Sequence, residues 1–387
     1  MYDFNKVVDR QSTANIKYDL RSKVFGKGDI LPMWVADMDF ETPDFIREAV
    51  IKRANHPIYG YSFRPESYYQ SIADWVHKRH NWEIDTKWIV YSPGIVPALN
   101  FSTLSYTNEG DNIIVQPPVY FPFFSGVTDN GRVRLDNNLL FSNGQYVIDF
   151  DDFEKKAKKA DMFFFSSPHN PVGRVWTKEE LLKLGEICVR NNVIIISDEI
   201  HNDLILPGYG HTIMASLSPE IADITVTCIA PSKTFNMAGL ATSSIIISNR
   251  ILKKKFEKLL ERYHLSLGNV FGAVASEAGY RNGAQWVDEL MQYVQQNFIE
   301  VEQALLKTEG RIKLIKPEAT YLAWLDFRNT GYTDNQIKDI LIKKAALGLS
   351  HGPMFGEGGQ GFQRMNLATP RLVVKLAMQK LIEAFNL

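Results

Sequence analysis

The sequence predicts an α/β protein in which a mostly parallel seven-stranded sheet is flanked by helices and accompanied by a smaller α+β domain. Two observations predict this class. From about residue 88, short apolar or β-branched runs alternate with stretches of helical periodicity. In one unit the order is strand, helix and strand, and both strands are continuously apolar. This is typical of a parallel sheet that is buried on both faces.

The individual elements follow from these periods. A capping box at residues 177–180 opens a helix between the fourth and fifth strands, with Leu181, Leu184 and Ile187 on one face. Beyond about residue 290, strands are expected at 321–326 and 362–366, and a helix from about 371 to the end. The seven strand candidates of the main sheet are residues 88–91, 112–115, 132–137, 162–166, 193–197, 224–229 and 243–248.

These patterns divide the chain into three parts. Residues 1–45 are irregular, and we expect this N-terminal segment to join the small domain. Residues 46–288 are expected to form the large, ligand-binding domain that contains the main sheet. Residues 289–387 are expected to form the small C-terminal α+β domain.

Composition excludes several classes of protein. A length of 387 residues with 45% hydrophobic residues is enough for two domains and a large core. A formal net charge of −1 argues against a general nucleic-acid binder. Cys188 and Cys228 both lie in apolar runs, so we expect reduced core residues and no metal site. Neither a signal peptide nor a membrane-spanning run is visible, so we expect no membrane partner and a cytoplasmic location.

Ligands of such sheets bind at the carboxyl ends of the strands, and several candidate residues lie there. Lys233 follows a strongly apolar run and is either a surface turn lysine or a desolvated lysine with a reactive amine. Asp198 ends another strand and either caps the next helix or faces a cation. Asn170 lies between two prolines and, taken alone, is a common turn former. The turn at 92–97 is either a simple helix start or a phosphate cradle.

Together these residues are the parts that hold pyridoxal phosphate. A lysine binds this cofactor covalently, and an aspartate pairs with its protonated pyridine nitrogen and keeps the ring an electron sink. Asn170 is suited to bind the ring's phenolic oxygen, and Tyr120 is placed to stack on the ring. We therefore predict pyridoxal 5'-phosphate as the cofactor.

Three motifs, in this order, resemble the fold type I pyridoxal-phosphate enzymes of the class I/II aminotransferase family. They are Asn-Pro-Val-Gly at 170–173, Ser-Asp-Glu-Ile at 197–200 and Ser-Lys-Thr-Phe at 232–235. Further motifs at 31–40, 59–62, 197–201 and 320–326 resemble the MalY/PatB-type carbon–sulfur β-lyases, which include cystathionine β-lyases. The resemblance covers nearly the whole chain and implies the transferase-like fold of these enzymes.

The resemblance implies a role for each matching residue. Lys233 would carry the cofactor and move the Cα proton, and Arg364 would bind the substrate carboxylate with Asn170 nearby. Tyr61 would reach the phosphate of a neighbouring subunit, which implies a homodimer with shared active sites. Tyr120 and Tyr61 are, besides Lys233, the candidates for catalytic acid. The expected cofactor-binding residues are Lys233, Asp198, Asn170, His201, Tyr120, Ser232, Gly94, Ile95, Val96 and Tyr61.

The sequence departs from the aminotransferase pattern at one position. These enzymes usually have a phosphate-binding arginine after the Gly-Leu pair, where this chain has Ala241, and Thr242 or Ser243 is a candidate substitute. The change favours the lyase branch, which eliminates a thiol from a sulfur-containing amino acid and yields pyruvate and ammonia. An aminotransferase is the alternative, and a regulatory protein on the same fold is the second.

A glycine-rich run at 356–361 matches the dinucleotide-binding spacing but neither follows a strand nor opens a helix, so we predict a mobile loop that leads to Arg364. The acidic run at 36–40 is either a loop held by local side-chain bonds or an edge of the site, and the loop is favoured for each aspartate alone.

Overall fold

The computed structural model describes residues 2–386, and its largest feature is the predicted seven-stranded sheet. Each predicted strand is present with ends within two residues of the expected ones. The strands of the chain are β1 (Leu31–Pro32), β2 (Ile89–Ser92), β3 (Asn112–Val115), β4 (Val133–Asp136), β5 (Leu140–Ser142), β6 (Gln145–Val147), β7 (Met162–Ser166), β8 (Ile194–Asp198), β9 (Thr225–Ile229), β10 (Ser243–Ile246), β11 (Lys313–Leu314), β12 (Leu322–Asp326), β13 (Leu347–Gly348), β14 (Ser350–His351) and β15 (Phe362–Asn366).

Helices cover both faces of this sheet and connect its strands. Six short 3-10 helices supplement them, at Thr86–Trp88, Met214–Ser216, Ala238–Leu240, Leu306–Thr308, Arg328–Thr330 and Gly352–Phe355. The α-helices are α1 (Ile16–Asp19), α2 (Arg21–Phe25), α3 (Asp44–Ala54), α4 (Glu66–His80), α5 (Ile95–Tyr106), α6 (Pro122–Thr128), α7 (Phe150–Ala157), α8 (Lys178–Asn191), α9 (Pro219–Asp223), α10 (Pro231–Thr234), α11 (Arg250–Arg262), α12 (Val270–Asn282), α13 (Ala284–Leu305), α14 (Asp334–Lys343) and α15 (Arg371–Ala384).

The main sheet has the strand order β2-β10-β9-β8-β7-β3-β4. Of these seven strands β10 alone points in the opposite direction, so the carboxyl ends of the other six meet at one edge together with the amino end of β10. The prediction of a mostly parallel α/β sheet is therefore confirmed. This common edge is where the predicted site residues emerge.

Alternating side chains of β7 show why the sheet is buried on both faces. Phe163 and Phe165 pack with Leu181 and Leu184 of α8, whereas Phe164 packs in a separate core cluster on the other face. The capping box that opens α8 is formed by Thr177, as predicted. Burial of large aromatic side chains at this density provides much of the free energy of folding.

A second sheet lies in the C-terminal part of the chain, in the order β11-β12-β15-β14, with antiparallel neighbours throughout. Helices α13 and α15 contribute to its core. Strand β1 of the N-terminal segment pairs with β13, so this segment contacts the C-terminal part. The domain boundaries at residues 45 and 288 stay a prediction. None of the helices within residues 2–386 is long and apolar enough to cross a membrane.

Candidate active site

A cavity of about 220 Å³ opens at the carboxyl edge of the main sheet. Its wall combines ends of β2, β7, β8 and β9 with the starts of β10 and α5. The sequence had placed candidate residues at these strand ends, and most of them meet here. The predicted site residues that line the cavity are Gly94, Ile95, Val96, Tyr120, Asn170, Asp198, His201, Ser232 and Lys233.

Lys233 lies on the short helix α10, directly after strand β9. Its side chain is partly buried and lines the cavity, and its Nζ donates a hydrogen bond to the carbonyl oxygen of Ala36 over 2.6 Å. Burial lowers the pKa of Lys233 to about 8; the charge of Asp37 opposes this shift and that of Arg364 adds to it. The interpretation as a surface turn lysine is therefore excluded, and a sizeable fraction of neutral amine is available near neutral pH.

Asp198 ends strand β8 in the same wall and is 7% exposed. Its carboxylate accepts a hydrogen bond from the backbone N–H of Ile200 over 3.1 Å. Burial and, to a lesser extent, the charge of Glu199 raise the pKa of Asp198 to about 7, while the hydrogen bond from Ile200 and the charge of Lys233 oppose the shift. Within residues 2–386 no cation lies within ion-pair distance of Asp198. No α-helix starts immediately after Asp198, so the carboxylate faces the cavity rather than capping a helix. An ionised carboxylate here is suited to a cationic ligand atom.

Arg364 extends from strand β15 to the same region, although it belongs to the second sheet. Its guanidinium donates to the side-chain oxygen of Asn170 and the carbonyl oxygen of Trp34, both over 3.0 Å, and to Ser350 Oγ over 3.2 Å. It also packs 5.0 Å from the ring centre of Phe355. These contacts fix the plane of the guanidinium beside the cavity.

Within residues 2–386, the charge of Arg364 has no protein counter-ion. Arg364 is 4% exposed, and in the part of the chain that the structure describes no carboxylate lies within ion-pair distance. Its Nε is buried and has no hydrogen-bond partner there, and burial lowers the pKa of Arg364 to about 10. A solvated strand arginine is therefore excluded. Leaving a buried cation unpaired is costly, so the site is prepared for an anionic ligand such as a carboxylate.

The amino-terminal end of helix α5 forms the side of the cavity suited to phosphate. The first N–H groups of an α-helix have no partner within the helix, and Gly94, Ile95 and Val96 line the cavity at this end. Of the two residues considered in place of an arginine at Ala241, Thr242 lines the cavity. Its hydroxyl is buried and has no partner among residues 2–386.

Ser243, the other candidate, is occupied elsewhere. Its hydroxyl donates to the carbonyl oxygen of Ser92 over 2.8 Å, across the β2–β10 pair. The two candidates therefore differ in whether the hydroxyl already has a hydrogen-bond partner. Of these two residues, Thr242 is the one that lines the cavity and whose hydroxyl has no partner within residues 2–386.

His201 and Tyr120 complete the polar wall. His201 is 4% exposed, and its Nδ1 has no hydrogen-bond partner within the described chain. Burial, together with the charges of Lys233 and Arg364, lowers the pKa of His201 to about 3, so the ring is neutral. Burial also raises the pKa of Tyr120, which keeps its hydroxyl protonated. Both side chains are neutral groups that can contact a bound ring.

Tyr61 is the one predicted site residue that lies apart. Its side chain is 99% exposed and lines a separate surface cavity with Tyr59 and Leu267. The structure does not bring it to the cavity of the same chain. Its expected contact with a neighbouring subunit stays a prediction.

Sequence reasoning missed two contributors to the site, Ala36 and Tyr321. The hydroxyl of Tyr321 donates over 2.9 Å to the same Ala36 carbonyl oxygen that Lys233 binds. Both residues lie within motifs that carried the family resemblance, but a backbone acceptor leaves no residue-type signal. The acidic run at 36–40 forms an edge of the site, because Ala36 lines the cavity. Asp37 is held by Arg10, 27 positions away, over 2.6 Å rather than by a local side-chain bond.

The residues present fit pyridoxal phosphate. The cavity offers a helix N-terminus and the free hydroxyl of Thr242 for a phosphate, and the carboxylate of Asp198 for a pyridinium nitrogen. Lys233 and His201 line the same cavity, and Nδ1 of His201 has no partner within residues 2–386. These orphaned polar atoms are what a phosphorylated heteroaromatic aldehyde would satisfy.

Fold and site together define a fold type I pyridoxal-phosphate enzyme. Residues 29–381 match the family described as aminotransferase class I and II, and the chain belongs to this family. It is 45% identical over 367 residues to cystathionine beta-lyase PatB of Bacillus subtilis (strain 168). These aligned residues cover 94% of this chain and 95% of that protein.

Solved structures resemble the whole chain. The PLP-bound putative aminotransferase from Clostridium difficile 630 has a TM-score of 0.98 and 42% identity, with 100% of both chains covered. The PLP-bound C-S lyase from Staphylococcus hominis has a TM-score of 0.93 and 33% identity, with 100% of this chain and 98% of that chain covered. The predicted fold and family are therefore confirmed.

Proposed function

We propose that this protein is a pyridoxal-phosphate-dependent carbon–sulfur β-lyase of the cystathionine β-lyase type. Its substrate is an amino acid with sulfur on Cβ, and its products are a thiol, pyruvate and ammonia. The observation that carries the proposal is that Lys233, Asp198 and Asn170 line one cavity, and that Arg364 donates a hydrogen bond to the side chain of Asn170. The 45% identity to a cystathionine beta-lyase supports the choice of reaction.

The cofactor would be held by residues of the cavity wall. The N-terminus of α5, Ser232 and Thr242 suit its phosphate, and Asp198 suits its pyridine nitrogen. Asn170 and Tyr120 suit the ring oxygen and the ring face. When bound, the cofactor supplies an electron sink for the charge that develops at the substrate Cα.

Arg364 orients the substrate in this proposal. A guanidinium can bind a carboxylate through two parallel hydrogen bonds, and its free Nε is one available donor. Its hydrogen bonds to Asn170 and Trp34 fix the direction of the fork before the substrate arrives. Binding the carboxylate here limits the orientations in which Cα can face Lys233.

Lys233 removes the Cα proton with its neutral amine and becomes an ammonium. The electrons of the broken Cα–H bond allow the Cβ–S bond to break, and the sulfur leaves as a thiolate. We assign Lys233, now an ammonium, as the acid that protonates the leaving thiolate. The pKa of Lys233 is lowered to about 8, close to that of a free thiol at about 8.5, whereas burial raises the pKa of Tyr120. Water then converts the remaining fragment to pyruvate and ammonia.

The homodimer belongs to this proposal rather than to the described chain. Exposed aromatic and aliphatic side chains around Tyr61, which is 99% exposed, include Ile58, Tyr59 and Phe63. Such a patch is typical of a protein interface. We propose that a second copy of the chain covers it and receives Tyr61 near its own phosphate site. A cytoplasmic location is likewise part of the proposal.

Pyruvate release tests the function directly. The purified protein is loaded with pyridoxal phosphate and incubated in turn with cystathionine, cysteine and S-methylcysteine. We expect pyruvate from at least one of them, none from Lys233→Ala, and an unchanged rate from Lys343→Ala, which removes an exposed lysine paired with Asp339. Absence of pyruvate with all three substrates would overturn the lyase proposal.

An aminotransferase on the same cofactor remains the second candidate. The 42% identity to a PLP-bound putative aminotransferase supports it, whereas Ala241 in place of a phosphate-binding arginine opposes it. This alternative requires amine transfer that depends on an added keto acid and a change of the bound cofactor to its amine form. A regulatory role on the same fold predicts a protein that gains no visible absorbance with cofactor.

A further inference from the structure

A buried carboxylate lies next to the active site without lining its cavity. Asp203 lies in the turn that follows Asp198, does not line the cavity and is 4% exposed. Trp75 Nε1 donates to its two oxygens over 3.1 and 3.2 Å, and His80 Nε2 lies 3.0 Å from Oδ1. The fourth contact is the hydroxyl of Thr234, which donates to Oδ2 over 2.8 Å.

These contacts compensate the charge of Asp203. Burial raises the pKa of its carboxyl, but the hydrogen bonds of His80 and Thr234 and the charges of His80 and Arg79 together bring it below its usual value. Asp203 is therefore an ionised acceptor inside the protein. A hydrogen bond to such an acceptor is stronger than one between neutral groups.

Thr234 is the residue that follows the reactive lysine. It ends the four-residue helix α10 and is 0% exposed, whereas Lys233 lines the cavity. A helix of one turn has little stability of its own, so its orientation depends on the side chains that anchor it. Phe235, buried against Trp75, is one such anchor, and the Thr234 hydroxyl is the directional one.

We propose that Asp203 and Thr234 form a positioning pair that aims the amine of Lys233 into the cavity. Trp75 and His80 fix the carboxylate of Asp203 by hydrogen bonds. The carboxylate accepts a hydrogen bond from the Thr234 hydroxyl, and this bond fixes the turn on which Lys233 lies. The inference rests on the proposed function, because the aim of the amine matters when it must meet an aldehyde carbon or a substrate Cα. Neither residue touches the reacting atoms.

The competing interpretation is that Asp203 only stabilises the packing of helix α4, through its hydrogen bonds to Trp75 and His80. Replacing Thr234 by valine separates the two, because valine keeps the shape of threonine and removes only the hydroxyl. Asp203 retains Trp75 and His80 in this variant. Thr234→Ser restores a hydroxyl. Thr308→Val is the matched control, because the buried hydroxyl of Thr308 donates to the carbonyl oxygen of Leu305 and lies far from Thr234 in the sequence.

The main readout does not depend on turnover. Apoprotein is mixed with pyridoxal phosphate, samples are reduced with borohydride at timed intervals, and the mass added at Lys233 is measured. We expect Thr234→Val to form this adduct about tenfold more slowly than the wild type. Thr234→Ser should recover most of the rate, and Thr308→Val should match the wild type. With cystathionine, kcat should fall by a similar factor and KM should change less.

The outcomes are distinguishable. A wild-type protein that forms no adduct would overturn the proposed function. A wild-type protein that reacts normally, with Thr234→Val at the same rate, would overturn only the positioning pair. Equal slowing in Thr308→Val, or no recovery in Thr234→Ser, would also overturn it. If Thr234→Val does not fold, Thr234→Ala is compared with Thr234→Ser by the same measurement.

Discussion

The guanidinium of Arg364 donates a hydrogen bond to the side-chain oxygen of Asn170 over 3.0 Å, although the two residues lie 194 positions apart. Arg364 belongs to strand β15 of the second sheet, and Asn170 follows strand β7 of the main sheet. This contact therefore joins the proposed carboxylate site to the proposed ring site. A substrate bound to one is held in a fixed relation to the other.

Arg364→Lys tests this relationship while keeping the positive charge. Lysine cannot form the planar fork, and it loses the contacts to Asn170 and Trp34. We expect kcat/KM for pyruvate formation to fall about a hundredfold, mainly through KM. The matched control is Arg328→Lys, because Arg328 is 43% exposed and pairs with Asp326. An unchanged KM in Arg364→Lys would exclude Arg364 as the carboxylate ligand.

Asp198→Asn should have opposite effects on stability and activity. The pKa of Asp198 in the cofactor-free protein is about 7, above the ordinary 3.8. Between these values the native state holds a proton that the unfolded state has released, so the free energy of unfolding falls as pH rises through this window. Asparagine does not titrate, so Asp198→Asn does not lose stability in this window. The gain in the free energy of unfolding of the variant over the wild type should be about 2 kcal/mol larger at pH 8 than at pH 5.

Denaturant unfolding of the apoprotein at the two pH values measures this difference. Asp326→Asn is the control, because it removes a carboxylate that already has an arginine partner. In the cofactor-loaded protein, Asp198→Asn should lower kcat by about a hundredfold or more, since the pyridine nitrogen loses its counter-charge. Equal stabilisation at both pH values would show that Asp198 is not held as a destabilised carboxylate.

The lowered pKa of Lys233 predicts how cofactor uptake depends on pH. Only the neutral amine attacks an aldehyde, and the pKa of Lys233 is about 8. The rate of uptake should therefore rise about tenfold for each pH unit below 8 and level off above it. Stopped-flow visible absorbance measures the rate, and Lys233→Ala supplies the baseline. A midpoint near 10, the value of an ordinary lysine, would contradict desolvation at this site.

The sequence predicted the sheet well because its signal is local. An apolar run such as 162–166 is buried on both faces, and the capping box of Thr177 marks the following helix within the same segment. Lys233 and Asp198 were found for a related reason. Residues at the carboxyl ends of parallel strands share one edge, whatever the details of packing.

Features that depend on side-chain direction or on distant backbone were out of reach. The carbonyl of Ala36 meets Lys233 only because distant contacts, including Asn366 with the carbonyl of Val35, place the segment. Asp203 lies five residues after Asp198, but its carboxylate binds Thr234 and does not line the cavity. No residue-type pattern distinguishes these orientations, because tertiary packing determines them.

The last such ambiguity, between Thr242 and Ser243, leads to a paired prediction. Thr242 lines the cavity, and its buried hydroxyl has no partner within residues 2–386, whereas the hydroxyl of Ser243 binds the carbonyl oxygen of Ser92. Thr242→Val removes an unsatisfied group, so the apoprotein should lose no stability. Its affinity for pyridoxal phosphate should fall about tenfold, because one hydrogen bond to the phosphate is lost.

Ser243→Ala should show the reverse. This substitution removes one side-chain hydrogen bond between β10 and β2. It leaves the carbonyl oxygen of Ser92 with one donor fewer, which costs about 1 kcal/mol of stability. Its cofactor affinity should stay at the wild-type value. Thermal unfolding of the apoproteins and equilibrium titration with pyridoxal phosphate measure both quantities for both variants. If Ser243→Ala loses affinity and Thr242→Val does not, the phosphate cradle is closed by Ser243 after a rearrangement of this edge. The assignment of Thr242 would then be wrong.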